Sequence, residues 1–184
     1  GGGTPKALFQ LLATPAYASQ IDWRHTHVFW GDERLVPPDD PDSNYKLAFD
    51  TLLCHVPIPA ENIHRAKGEL AAETAVIDYT QQLQQFARPQ LDLALMGLGD
   101  DGHTAWGGAG AIQPAEASQT VMAVTANYNG RPAQRITLTP LVFNAARHLF
   151  FLVTGEKKAA AVAAVLNRHD TPEKWPAHRI QPTN

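Results

Sequence analysis

The chain has 184 residues, 44% of them apolar and 18% charged, with 15 Lys and Arg against 18 Asp and Glu for a formal charge of −3. That size and balance suit one soluble globular domain over residues 1–184 and exclude the basic surface needed to wrap nucleic acid. Cys54 is the only cysteine, which excludes an intrachain disulfide framework and fits a reducing cytoplasm; no run is long enough to span a membrane or patterned as a signal peptide.

The chain opens on Gly1-Gly2-Gly3-Thr4-Pro5. Thr4 suits an N-cap and Pro5 a first helical position, with Ala7, Leu8, Leu11 and Leu12 on one apolar face. A glycine loop entering a helix offers free N–H groups to an anion. His27-Val28-Phe29-Trp30 reads as a buried strand, left through a rigid, charged loop, Gly31-Asp32-Glu33-Arg34-Leu35-Val36-Pro37-Pro38. Arg34 can grip a phosphate or carboxylate in a planar fork, or pair internally with Asp32 or Glu33. Asp42 or Ser43 then caps a helix running to about Leu53.

Residues 58–65 read as a loop into a short strand. Residues 69–87 read as a helix with Leu70, Ala71, Thr74, Ile77, Tyr79 and Leu83 as an imperfect stripe, stopped by Arg88-Pro89. Residues 91–96 have the character of a fully buried parallel strand. Strands follow at 120–125 and 135–140, separated by turn chemistry at 127–132. Thr139 and Pro140 open a helix, residues 148–154 form another buried strand, and Gly155-Glu156-Lys157-Lys158 leads into a further helix. Lys158 sits in that helix's first turn, where the macrodipole disfavours a cation unless an anion is near. Residues 176–182 are expected to form one edge strand. The alternation predicts an α/β fold, an open doubly wound and mostly parallel sheet with helices on both faces.

The stretch that organises the rest is Gly97-Leu98-Gly99-Asp100-Asp101-Gly102-His103-Thr104-Ala105, at the end of the 91–96 strand. Ligands in such sheets bind beyond the carboxyl ends of the strands. Its glycines match a dinucleotide fingerprint, but no helix-forming segment follows and two acids stand where a pyrophosphate would sit. An imidazole beside carboxylates (His103, Asp101, Asp100), a second charged strand end (Asp32, Arg34) and anion-binding candidates (Gly2, Gly3, Arg135, Lys158) favour general-base catalysis on a small phosphorylated or carboxylated substrate. The histidines show no consistent metal-ligand spacing, and His25-x-His27 reads as surface plus strand rather than a zinc pair.

The ordered set Gly2-Gly3-Thr4-Pro5, Gly31-Asp32-Glu33-Arg34-Leu35-Val36-Pro37, Ser43-Asn44-Tyr45, the 97–105 loop, Arg135-Ile136-Thr137-Leu138-Thr139 and Gly155-Glu156-Lys157-Lys158-Ala159 resembles the signatures of the 6-phosphogluconolactonase family over nearly the whole chain. The resemblance implies hydrolysis of 6-phospho-D-glucono-1,5-lactone to 6-phospho-D-gluconate in the oxidative pentose phosphate pathway, with no required cofactor. It also implies a sugar-phosphate isomerase-like fold. By matching motif, His103 is the general base, Asp101 sets the loop and the imidazole, and Arg34 and Lys158 bind anionic groups. Asp32 belongs to the same matched site, and Arg135 and the Gly2-Gly3 backbone add phosphate contacts. The oxyanion-stabilising donor stays unassigned. The implied partner is a small-molecule substrate, with neither nucleic acid nor membrane, and a homo-oligomer is left open.

Two alternatives remain at this point: a glucosamine-6-phosphate deaminase or sugar-phosphate isomerase, and a catalytically silent sugar-phosphate-binding protein. The deaminase branch resembles the 97–105 loop but places a glutamate where this chain has Gly108 and a tyrosine where it has Arg34. The family usually continues Ser-Leu-Phe-Pro-Gly where this chain has Trp106-Gly107-Gly108-Ala109-Gly110, so a looser loop is expected behind His103. The same comparison leads us to expect that a first strand–helix unit ahead of Gly1 and a helix beyond Pro182 are lacking.

Overall fold

Strands that pair in parallel need a long crossover, and in this chain helices supply it. The computed structural model describes residues 2–87, 90–105, 117–125, 132–167 and 174–182. Val28–Phe29 (β1) pairs in parallel with Ile63–His64 (β3), and Asn44–Thr51 (α3) lies in the crossover between them. Leu93–Met96 (β4) pairs in parallel with His148–Phe151 (β7). Ala72–Phe86 (α4) leads from β3 to β4, Pro140–Asn144 (α5) precedes β7 and Ala159–Asn167 (α6) follows it. Helices Gly3–Leu12 (α1) and Pro15–Ala18 (α2) precede β1. The α/β class matches the expectation.

To the parallel pairs the structure adds an antiparallel sheet. Asp32–Arg34 (β2) and Val121–Thr125 (β5) flank Gln134–Leu138 (β6) in the order β2-β6-β5. The charged segment after β1 is therefore a strand and not a rigid loop, with Asp32 opposite Thr137 and Arg34 opposite Arg135. It survives as a buried strand because each charge has partners, as described below.

Four local expectations are corrected. Helix α1 begins at Gly3 with Gly2 in the capping position at φ 110°; Thr4 lies inside the first turn, and its hydroxyl meets that of Thr154 at 2.9 Å. In α4 the buried face is Ala75, Tyr79 and Leu83, spaced by four, while Ile77 points to solvent. Strand β4 is buried on one face only: Ala94 and Met96 enter the core, and Leu93 and Leu95 stay 50% and 46% exposed. The C-terminal segment forms a 3₁₀ turn, Pro176–Arg179, instead of an edge strand. Pro176 has no N–H to give a ladder, and the Asn144 amide takes up the segment's backbone by donating to the Arg179 carbonyl (3.0 Å) and accepting from Gln181 N–H (2.7 Å).

The main core gathers Tyr79 and Leu83 of α4, Met96, Val121, Ile136, Leu138 and Phe143. A second cluster joins Trp23, Trp30, Ala48, Leu52 and Leu53. Tyr79 bridges them. Its buried hydroxyl accepts from Trp30 N–H (2.7 Å) and donates to Trp30 C=O (2.8 Å), and burial keeps the phenol protonated by pushing its pKa upward. This clamp fixes the backbone at Trp30, two residues before β2 begins at Asp32. On β3, opposite Phe29, His64 is buried, stacks on Phe29 and Phe86, and meets His27 at 2.8 Å.

Candidate active site

The loop leaving β4 closes on itself through backbone hydrogen bonds, Gly99 N–H to His103 C=O (2.8 Å) and Gly102 N–H to Gly99 C=O (3.1 Å). Gly102 adopts φ 75°, which favours glycine. A side chain at Gly99 would have no room: an added Cβ would lie 2.0 Å from His103 Nδ1 and 2.5 Å from Asp101 Oδ1. The imidazole and the carboxylate thus sit over bare backbone. His103 Nδ1 lies 2.5 Å from Asp101 Oδ1, and the same oxygen accepts the His103 N–H at 3.1 Å.

Burial pushes the Asp101 carboxyl up, but the hydrogen bonds from the His103 ring and backbone, with the ring's charge, hold it below the ordinary carboxylate value. An ionised Asp101 can only accept, so in the neutral imidazole Nδ1 carries the proton and the lone pair is on Nε2. That is the tautomer a general base requires. The two side chains are 35% and 54% exposed, open enough to meet a substrate.

Asp100, next on the loop, accepts from Lys158 Nζ. The Lys158 hydrogen bond and charge hold the Asp100 carboxyl below its usual range. Lys158 ends the 3₁₀ turn Glu156–Lys158 that opens after Gly155. The expected anion near this lysine is, in the structure, an aspartate of the His103 loop. The Thr4–Thr154 contact brings the start of α1 to the same strand end.

The charged strand β2 supplies the other half. Glu33 is buried and accepts from Arg34 N–H (2.7 Å), Asn44 N–H (2.7 Å), Tyr45 N–H (2.7 Å) and Ser43 Oγ (3.0 Å). Burial raises its pKa against the pull of these donors. Glu33 thereby ties β2 to the start of α3, where Ser43 is the N-cap and accepts from Lys46 N–H (3.1 Å). Arg34 is 6% exposed, and its Nη1 donates to the Asp42 carbonyl at 2.5 Å. Arg135 Nη1 lies 3.1 Å from Asp32 Oδ2, a largely buried pair.

Gly2, Gly3, Lys6, Arg34, Asp42, Ser43 and Asn44 line a cleft of about 200 Å³. It brings a helix N-terminus, an ammonium and a guanidinium together, the donor set of an anion site. Arg135, Lys158 and His103 are not among its lining residues. The His103 loop nevertheless abuts the start of β2: a Cβ built on Gly31 would stand 3.6 Å from Ala105 Cβ and 3.4 Å from Phe143 Cζ.

Of the residues expected at a site, the structure groups Gly2, Gly3 and Arg34 in the cleft, and His103, Asp101 and Lys158 on or against one loop. Asp32 and Arg135 pair with each other beside Arg34. The sequence reading missed Lys6, although its place four residues after Gly2 in α1 puts it at the helix start. It also missed Trp175, whose ring lies on Gly102. Among the described residues no group of three or more His, Cys, Asp or Glu could hold a metal ion. The 106–110 segment lies outside the described residues.

Comparison with known proteins places this geometry in context. A family profile described as "Glucosamine-6-phosphate isomerases/6-phosphogluconolactonase" matches residues 1–184. A 6-phosphogluconolactonase of Haemophilus influenzae is 36% identical over 187 residues, covering 100% of this chain and 78% of the relative. The crystal structure of a 6-phosphogluconolactonase from Thermotoga maritima superposes with a TM-score of 0.82 at 29% identity, covering 100% of this chain and 78% of that one. A monomeric glucosamine-6-phosphate deaminase superposes with a TM-score of 0.84 at 19% identity, covering 98% and 78%, a likeness of fold alone.

Proposed function

The chain belongs to the family of glucosamine-6-phosphate isomerases and 6-phosphogluconolactonases, and on that membership we propose that it hydrolyses 6-phospho-D-glucono-1,5-lactone to 6-phospho-D-gluconate, a step of the oxidative pentose phosphate pathway. The observation that carries the chemistry is the 2.5 Å Asp101–His103 pair. With Nδ1 bound to an ionised carboxylate, Nε2 accepts a proton from water as the water oxygen attacks the lactone carbonyl carbon. The tetrahedral intermediate then collapses by breaking the bond between C1 and the ring oxygen. The imidazolium returns its proton to that oxygen, which leaves as the C5 hydroxyl. Asp101 stabilises the imidazolium while it exists.

The substrate's phosphoryl group is assigned to the cleft of Gly2, Gly3, Lys6 and Arg34. Its volume suits a phosphoryl group, and its donors come from backbone, ammonium and guanidinium. Lys158, held by Asp100 of the His103 loop, offers a further cation. Asp32 keeps Arg135 in place beside Arg34, so Arg135 acts here on the shape and charge of the anion site. The exposed free thiol of Cys54 supports a reducing compartment such as the cytoplasm, and no helix among the described residues is long and apolar enough to cross a membrane.

Lactone hydrolysis releases one proton, so a pH-stat assay corrected for spontaneous hydrolysis tests the assignment. The wild-type chain is expected to accelerate proton release, and His103→Ala to lower kcat by about 10²–10⁴-fold, the usual worth of a general base. Ammonia release from glucosamine 6-phosphate with no lactone hydrolysis would assign the deaminase reaction instead. Binding of 6-phosphogluconate with neither activity would make the chain a sugar-phosphate-binding protein.

A further inference from the structure

The C-terminal turn stands directly behind the His103 loop. The Trp175 ring lies on the Cα of Gly102, where an added Cβ would be 2.3 Å from Trp175 Cε3 and 3.2 Å from Cδ2. Two residues on, Ala177 N–H donates to the Gly102 carbonyl at 3.1 Å. Gly102 is therefore held from its Cα and its carbonyl by one short segment, immediately before His103. The segment is itself anchored. Pro176, Ala177 and His178 are buried, the Asn144 amide binds the backbone at Arg179 and Gln181, and His178 Nε2 meets the Ala164 carbonyl of α6 at 3.1 Å. Helix α6 follows the turn carrying Lys158, so the same segment braces both sides of the Lys158–Asp100 contact.

We propose that Trp175 is a positioning residue for the general base: by covering Gly102 it fixes the left-handed turn that keeps His103 Nδ1 on Asp101 and turns Nε2 toward the substrate. Backbone hydrogen bonds and the Asp101 contacts restrain the loop from within, but Gly102 in isolation populates many conformations. A flat, rigid ring limits them with little entropy cost of its own. A displacement of about 1 Å in a catalytic group is enough to cost on the order of 10²-fold in rate. This role rests on the lactonase reading, and Trp175 acts through His103.

The test compares Trp175→Ala and Trp175→Phe with wild type in steady-state lactone hydrolysis and in amide hydrogen exchange by NMR. We expect Trp175→Ala to lower kcat on the order of 10–100-fold with KM within about twofold, because the phosphoryl cleft does not contain Trp175. Trp175→Phe should recover most of the loss, since a flat ring again covers Gly102. In Trp175→Ala the amides of Gly102 and His103 should exchange faster while that of Trp30, bonded to the buried Tyr79, keeps its wild-type rate. Unchanged kcat, a change confined to KM, or a loss that Phe leaves unrescued while exchange accelerates throughout the molecule would each overturn the proposal. Should the wild-type chain lack lactonase activity, the functional reading fails, and equal Gly102 and His103 exchange in wild type and Trp175→Ala would independently refute the clamp.

Discussion

Gly99 leaves no room for a side chain in the site loop. Its missing side chain is the space in which His103 Nδ1 and Asp101 Oδ1 meet, at 2.0 and 2.5 Å from where a Cβ would stand. Neither neighbour can yield without breaking the 2.5 Å contact between them. Gly99→Ala is therefore expected to lower kcat on the order of 10²-fold, with the thermal midpoint changed by only a few degrees; kinetics equal to wild type would show that the pair is not used. His64 gives a residue-scale prediction about stability. Burial, with the nearby His27, pushes its pKa from 6.5 down to about 4. The unfolded chain then binds a proton more readily than the native one between those values. Stability from this site is present above about pH 6.5 and is lost as pH falls toward 4. Replacing the ring by one that does not titrate, His64→Phe, should flatten the fall in denaturation midpoint across that window, whereas an unaltered slope would place the proton elsewhere.

At the scale of elements, the join between β2 and α3 decides how Arg34 behaves. Arg34 reads in sequence as a loop cation that grips an anion or pairs with Asp32 or Glu33, yet it is buried in a strand and donates to the Asp42 carbonyl. Arg34→Ala should raise KM about tenfold or more through the lost phosphate contact. It should also remove a charged hydrogen bond worth about 1.5–3 kcal/mol, lowering the thermal midpoint by roughly 5 °C for a domain of this size. A large KM change with an unmoved midpoint would show that the Asp42 contact carries little weight. The helices and parallel strands were legible because their periodicity, caps and stops are local: Ser43 caps α3 as expected. Strand β2 was hidden because Asp32, Glu33 and Arg34 read as loop residues. Their partners, Ser43, Asn44, Tyr45 and Arg135, lie 10 to 103 positions away. The 176–182 segment was misread because the Asn144 amide that holds it as a turn lies far off in sequence. Motifs exposed His103, Asp101, Arg34 and Lys158, but nothing local marked Lys6 or Trp175.

Across the whole molecule, separate segments form a ring of contacts around the site. Arg34 shares a cleft with Gly2 and Gly3, Gly31 abuts Ala105, Asp100 takes Lys158, and Thr154 meets Thr4. On the β4–β7 pair that carries the His103 loop, Leu93, Leu95 and Phe150 lie on one face and are exposed, Phe150 at 56%. The chain spans 78% of the length of the Haemophilus influenzae relative. The most direct measurement of the central claim is a crystal structure with 6-phosphogluconate bound. The account predicts the phosphoryl group in the cleft of Gly2, Gly3, Lys6 and Arg34, with the C1 carboxylate within about 3–3.5 Å of His103 Nε2. A C1 carboxylate far from His103, or a phosphoryl group bound away from Arg34 and Lys6, would contradict it.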